Sequence, residues 1–564
     1  FADTIAAFNK RAKMVYEFDA ADVAQPIMYP AMARSYRTAG FQWATQFAYD
    51  PMYTAHANTE YQTHFLNLAY TPAKAISLLI ASKVFHTVPR NKTYGAYPAD
   101  TLFDVFRLSY KNGLAEMNSD EEFYYTTSTS TQPKNISKLK HIAGVGSSSL
   151  IKYEGSGAYF LDKVSEGIWL LELMPDAVTV SDPFAKASPK KEVVKIIWRE
   201  NLLELLLPGL QNNFEIKGAN EGNNFSATSV DNKVSVSAGV YYIFKKNIEG
   251  YHSITNAGIE KFYTPRASIL QPTVLHQPQS EVSANRSFTI SAKIIGVDSI
   301  EKVSVELRNS SNKWKTVPMT NTTAYDFIVD VPADVLTPGV INYRIIVQKT
   351  NKEFFTFPGG YQGNPYSWDE YRNDSWQTFV AAPQSAIQLF NATTDKGNVV
   401  LYNTDWRNNL VEYITADKPV QLVLKTAMNK PAANQTMGWQ LFFGDKLNGR
   451  RDALSSFTKL VVRARSAEEA MAKISLITTD AQSFATDLKL EKEFKEFEIP
   501  LTALVKDSML LLPRPYPGFL PLYFTSASTK TFDVNELEKL EIRFAGLPIA
   551  KPVSVEIEAV WLKR

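Results

Sequence analysis

The residues of this chain best placed to do chemistry lie near its start. Tyr16-Glu17-Phe18-Asp19 closes one short apolar run, and Gln42-Trp43-Ala44-Thr45-Gln46-Phe47-Ala48-Tyr49-Asp50 forms the next one. If the two runs are neighbouring strands of a parallel β/α barrel, their C-terminal ends open into one shared mouth. Carboxylates (Glu17, Asp19, Asp50), an amide (Gln46) and aromatic rings (Tyr16, Trp43, Tyr49) would then face each other. Glycoside cleavage needs that equipment, because two carboxyl groups must flank the scissile bond and a sugar ring needs an apolar surface to rest on. Each residue also has a plainer reading. Glu17 suits an ion pair with Arg34 or Arg37, Trp43 suits a core, and Asp19, Asp22 and Asp50 suit helix caps and turns.

The elements that would position these residues are legible. Residues 4–12 read as the end of a helix and Lys13–Phe18 as a short buried strand. A helix follows at about 28–39, closed by Gly40 as a left-handed cap. FQWATQFAYDP reads as a second strand, and the apolar spacing over 60–86 predicts a long helix. Glu60 and His64 would stand one turn apart on that helix. Two ligands without a third do not make a metal site, so neither metal nor cofactor is expected.

KMVYEFDAADV followed by MYPAMARSYRTAGFQWATQFAYDP resembles the seventh and eighth strands of clan A glycoside hydrolases, which are (β/α)8 barrels. The resemblance covers residues 10 to 90. It implies that Glu17 is the nucleophile and Trp43 the platform under the sugar, with Gln46, Tyr49 and Asp50 lining the mouth. The stretch is also similar to large secreted proteins of Bacteroidota in which such a barrel precedes β-sandwich domains. By that resemblance the strand carrying the acid/base Glu would lie upstream of Phe1, so the expectation is a chain incomplete at its N-terminus.

The remainder reads as β modules, making the fold class multidomain and mainly β. Residues 1–94 are expected to be the last strands and helices of a barrel, 95–250 a β-sandwich, and 262–356 an immunoglobulin-like sandwich. A linker at 357–377 leads to a jelly roll at 378–564 that resembles carbohydrate-binding modules in architecture. In that last region Trp406, Trp439 and Tyr516 are candidate sugar platforms, with Arg450 and Arg451 as donors to hydroxyls; core packing is the alternative.

Composition limits the partners. Lys and Arg number 60 against 58 acidic residues, so there is no field to gather nucleic acid. The absence of cysteine over 564 residues suits an exported bacterial protein stabilised by large cores. Aromatic residues make up 12%, which serves both strand packing and sugar stacking. The expected location is extracytoplasmic: secreted, periplasmic or on the outer-membrane surface of a Gram-negative bacterium. Three functions stay open, namely a retaining glycoside hydrolase, a non-catalytic surface glycan-binding protein, and a structural subunit of a cell-surface assembly. The expected partners are a glycan, other cell-surface or outer-membrane proteins, or the missing N-terminal part of the barrel.

Overall fold

The computed structural model describes residues 5–8, 10–60, 63–95, 101–210, 212–246, 261–309, 314–403, 405–432, 435–468, 470–512, 514, 521–546 and 551–564. The chain divides into two compact units, Phe1–Gln271 and Pro272–Arg564. No described helix is long and apolar enough to cross a membrane.

The first unit opens with strand β1 (Met14–Phe18), helix α1 (Met28–Thr38), strand β2 (Trp43–Gln46) and helix α2 (Pro72–Thr87). β1 and β2 pair in parallel, Met14 opposite Trp43 and Phe18 opposite Gln46, with a register break between Val15 and Phe18. That break leaves both Tyr16 and Glu17 exposed, where strict alternation would have turned one of them inward. α1 begins where Asp22 Oδ2 accepts the Met28 N–H at 2.8 Å, which satisfies one of the donors a helix start leaves unpaired. It ends in a Schellman turn: Gly40 takes φ +82°, its N–H reaches Arg37 O at 3.0 Å, and the Phe41 N–H reaches Tyr36 O at 2.9 Å.

Two expectations are corrected here. The helix over 60–86 forms only as Pro72–Thr87. Upstream, Asn67 N–H donates to Thr71 Oγ1 at 2.8 Å and Ala69 N–H to Asn67 Oδ1 at 2.9 Å. These side chains compete with helical bonding, and Pro72 supplies the fixed φ of a first helical position. The helix end at 4–12 is a three-residue 3₁₀ turn, Ala6–Phe8. Among the described residues β1 and β2 form a sheet of two, so what is seen is a βαβα unit and not a closed barrel.

Downstream, ten strands between Leu102 and Phe244 join in one sheet. Its side chains alternate faces. Phe123, Tyr125 and Ile142 enter a core shared with the three-stranded sheet of Ile151–Lys152, Asn201–Leu205 and Lys233–Val236. Tyr124 and Ala143 enter the opposite core, built with Tyr29, Ile76, Ile80 and Val84 of the two helices. Covering on both faces explains why Phe-Tyr-Tyr runs without polar interruption there.

The second unit holds two sandwiches. In the first, Thr273–Leu275, Phe288–Ile295, Asp326–Val331 and Thr320–Asn321 make one sheet. The facing sheet contains Glu281–Ser283, Trp376–Ala381, Gly339–Lys349, Ile300–Arg308 and Trp314–Pro318. Phe354–Phe357 and Tyr361–Gln362 extend that sheet and Trp376–Ala381 closes on Gly339–Lys349, so the segment read as a linker carries strands of this sandwich. In the second sandwich two six-stranded sheets enclose a core that includes Leu389, Trp439, Leu460, Ile542 and Val560.

Candidate functional site

The C-terminal ends of β1 and β2 converge on a buried polar cluster. Asp19 follows β1, Gln46 ends β2, Tyr29 stands in the first turn of α1 and Lys74 in the first turn of α2. Tyr29 Oη donates to Asp19 Oδ1 in a short bond, and Gln46 Nε2 donates to Tyr29 Oη at 3.3 Å and to Ala48 O at 2.9 Å. Lys74 Nζ lies 3.7 Å from Asp19 Oδ1, donates to His64 O at 3.3 Å and sits 5.5 Å from the Tyr29 ring centroid. His64 Nδ1 is 3.8 Å from Asp19 Oδ2.

Charge here is under-compensated. Only 1% of Lys74 and 7% of the Asp19 side chain are exposed. Burial pushes the Asp19, Asp22 and Asp50 carboxyls up, and Lys74 only partly opposes this. Burial likewise lowers the Lys74 ammonium against the pull of the three aspartates. The Tyr29 hydroxyl is driven upward by burial and by its bond to Asp19. Carboxyls shifted toward neutrality in this way are suited to holding and passing protons.

The structure sorts the residues expected from sequence. Asp19 and Gln46 come together through Tyr29. Glu17 and Tyr16 are exposed on β1. Neither arginine considered as a partner for Glu17 is seen bonding it: Arg37 donates to Val88 O at 2.8 Å and Phe41 O at 3.0 Å, and Arg34 donates to Tyr94 O at 2.8 Å.

Trp43 is half-exposed but begins β2 opposite Met14, at the other end of the strands from Glu17. It is therefore not a strand-end platform. The aromatic residue at that end is Phe47, whose N–H donates to Phe18 O at 3.0 Å and whose ring meets His64 edge-on at 5.6 Å. Tyr49 keeps an exposed ring while its hydroxyl accepts the Leu68 N–H at 2.9 Å. Asp50 is buried: its Oδ2 accepts the Leu66 N–H at 2.7 Å and its carbonyl accepts Asn67 Nδ2 at 2.8 Å. It anchors the loop before α2 and does not line a mouth.

In the last sandwich Trp439 is 1% exposed, with its ring 4.7 Å from that of Phe390, so it packs the core and offers no face to a sugar. Trp406 is 75% exposed with the Arg407 guanidinium 5.2 Å from its ring. Tyr516 lies outside the described residues. Arg450 is buried on Glu281, Ser385 O at 2.8 Å and Ala386 O at 3.1 Å. Arg451 is held by Asn448 and the Asn535 carbonyl. Among the described residues no group of three or more His, Cys, Asp or Glu is placed to hold a metal ion.

Sequence reasoning missed Tyr29 and Lys74. A lysine inside the apolar run PAKAISLLI was the available signal, since such a position buries its ammonium unless a carboxylate meets it.

No protein-family model matches the sequence, and no curated protein matches it. Solved structures similar to parts of the chain include a family 11 carbohydrate-binding module from Clostridium thermocellum in complex with a β-1,3-1,4-mixed-linked tetrasaccharide. It is 11% identical with a TM-score of 0.24, covering 32% of this chain and 95% of that one. A family 30 carbohydrate-binding module is 10% identical with a TM-score of 0.21, over 32% of this chain and 99% of that one. An agarase is 12% identical with a TM-score of 0.21, over 32% of this chain and 25% of that one. Scores and identities at this level fix neither the fold nor the function of this chain.

Proposed function

We propose that the protein is an exported, carbohydrate-recognising enzyme, a retaining glycoside hydrolase whose β1–α1–β2–α2 segment is the closing part of a (β/α)8 barrel. The observation that carries this reading is the parallel pairing of β1 and β2. A parallel pair needs a crossover, here α1, and it sends both C-terminal strand ends to the same side. Glu17, Asp19, Gln46 and Phe47 thereby share one rim. In this reading Glu17 attacks the anomeric carbon to give a glycosyl-enzyme, and an acid/base about 5 to 5.5 Å away protonates the leaving oxygen and later activates water. Phe47 and Tyr49 give the sugar its apolar surface. Asp19, held by Tyr29 and Lys74, fixes the end of β1. Residues 95–250 and the two later sandwiches are β modules that hold the polymer, with Trp406 as one platform.

One observation favours a second reading, a non-catalytic glycan-binding protein. Asp19, the other carboxyl at the β1 end, is buried on Tyr29 and beside Lys74, which leaves Glu17 as the exposed one of the two. Release of reducing ends from soluble polysaccharides separates the readings. Glu17→Gln is expected to abolish release, by about a thousandfold or more, as loss of a nucleophile does. Hydrolysis that persists unchanged removes Glu17 from the mechanism. Binding without turnover by the unmutated protein selects the second reading.

A further inference from the structure

Along Ile300–Arg308 the apolar Val303, Val305 and Leu307 turn into the core of the first sandwich of the second unit. Alternation then sends Glu306 and Arg308 to the outer face. Pairing register sets Arg308 opposite Trp314 on one side and opposite Asn342 on the other, and Asn342 opposite Gln377. Directly opposed residues project to the same face. Trp314, Arg308, Asn342 and Gln377 thus form one row across four adjacent strands, about 14 Å long at the usual strand spacing. Gln377 Nε2 donates to Asn342 Oδ1 at 2.9 Å. In the neighbouring row Arg344 Nε donates to Glu306 Oε2 at 2.6 Å.

Trp314, Arg308, Asn342 and Arg344, with Glu306, line a shallow hollow of about 40 Å³ in this open face, rimmed by Asn373 and Asp374. Trp314 is 56% exposed, with the Arg308 and Arg344 guanidiniums 5.2 and 6.0 Å from its ring centroid. We propose that this face is a carbohydrate-binding site, separate from the strand-end cluster, that takes a neutral pyranose polysaccharide.

Three features identify the ligand class. An exposed indole offers an apolar plate for the C–H face of a sugar ring. Amides, a carboxylate and guanidiniums surround it, giving hydroxyl groups both acceptors and donors. The lining charges balance, Glu306 and Asp374 against Arg308 and Arg344, so there is no cationic excess to hold phosphate, sulfate or a polyanion.

The rim is braced in advance. Tyr361 Oη donates to Asp374 Oδ2 at 2.5 Å. Arg372 lies 4.4 Å over the Tyr361 ring and bonds Glu370 through Nε at 2.7 Å. The same segment keeps Trp368 90% exposed, with Tyr371 also in solvent. Large rings held in water on a braced loop mark a contact surface.

The site is tested by affinity electrophoresis of the full chain in gels containing mixed-linkage β-glucan, galactomannan or polygalacturonate. Retardation by at least one of the two neutral polymers is expected, weakened about tenfold or more by Trp314→Ala and by Arg308→Ala, as for anchor residues of an interface. The melting temperature should stay unchanged. If Trp314→Ala fails to fold, Arg308→Ala and Trp368→Ala carry the test. Three results overturn the site: no retardation by a neutral polymer, retardation by polygalacturonate alone, or affinity that survives every variant of this face. Affinity that disappears only with strand-end variants would place the glycan in the first unit and refute this proposal while leaving the hydrolase reading intact.

Discussion

Asp19 in the first unit and Asp507 in the second begin from the same side-chain chemistry and are driven in opposite directions. Asp19 is 7% exposed and faces a single ammonium, Lys74, at 3.7 Å. Asp507 is 26% exposed, has Lys473 Nζ and Arg543 Nη2 both at 3.1 Å, and accepts the Ser508 N–H at 2.7 Å. Burial raises both. At Asp507 the backbone bond and the two cations overturn it and the carboxyl goes down, whereas at Asp19 they do not and it goes up. Other carboxylates of the jelly roll are also paired with cations. Arg463 bonds Glu558 at 2.8 Å and Asp417 at 3.0 Å, Arg465 bonds Glu556 at 2.7 Å, and the exposed Glu498, bonded by Lys459 and Lys563, falls to about 2. Asp507 and Glu498 are each met by two cations. The strand-end cluster sets Asp19, Asp22 and Asp50, all raised by burial, against Lys74, the kind of local inconsistency that folds retain where a site needs it.

Removing the Lys74 ammonium should give the largest effect. Lys74→Met leaves the Asp19 carboxylate buried beside Tyr29 with no ammonium, and loss of one partner of a buried pair costs about 3 kcal/mol or more. Urea unfolding at pH 7 is expected to report that loss in the first unit. Adding Asp19→Asn should restore part of it, because the neutral amide carries no charge to desolvate. A Lys74→Met protein as stable as the parent would remove the contrast between the two regions.

Acid titration sharpens the contrast through its sign. For Asp19, Asp22 and Asp50 the folded carboxyl lies above its ordinary value of 3.8, so the folded unit binds protons that the unfolded chain does not. Their contribution grows as pH falls toward 3.8 and is lost as pH rises through the raised values. Asp507 and Glu498 are depressed, so their contributions are present above 3.8 and 4.5 and disappear on acidification, for Glu498 down to about 2. Hydrogen exchange between pH 6 and 3 should therefore show the second unit loosening first. Loss of protection in the first unit before the second would reverse the assignment.

What was legible in the sequence follows from how local each signal is. β1, α1 and β2 were readable because their apolar spacing and the Gly40 cap lie within the segments themselves. The start of α2 was misplaced because apolar spacing ran on through Phe65-Leu66-Asn67, although Thr71-Pro72 marked the boundary. Trp43 was placed at the wrong end of its strand because register with β1, not composition, decides which residue meets the rim. Trp439 and Trp406 have the same side chain, and tertiary packing, Phe390 against Trp439 for one, separates core from surface. The row of Trp314, Arg308, Asn342 and Gln377 was out of reach for the same reason, since four separate stretches of chain meet there through sheet pairing alone.

The smallest expected effect tests that last distinction. Trp406 is 75% exposed and its recorded ring contact is with Arg407, a neighbour in sequence. A truncation there removes little buried surface, so Trp406→Ala should change stability by no more than about 0.5 kcal/mol in urea unfolding. If the ring is a sugar platform, the same variant binds polysaccharide more weakly while its midpoint stays in place. A shift of the midpoint without loss of affinity would instead make Trp406 part of the jelly-roll scaffold, as Trp439 is.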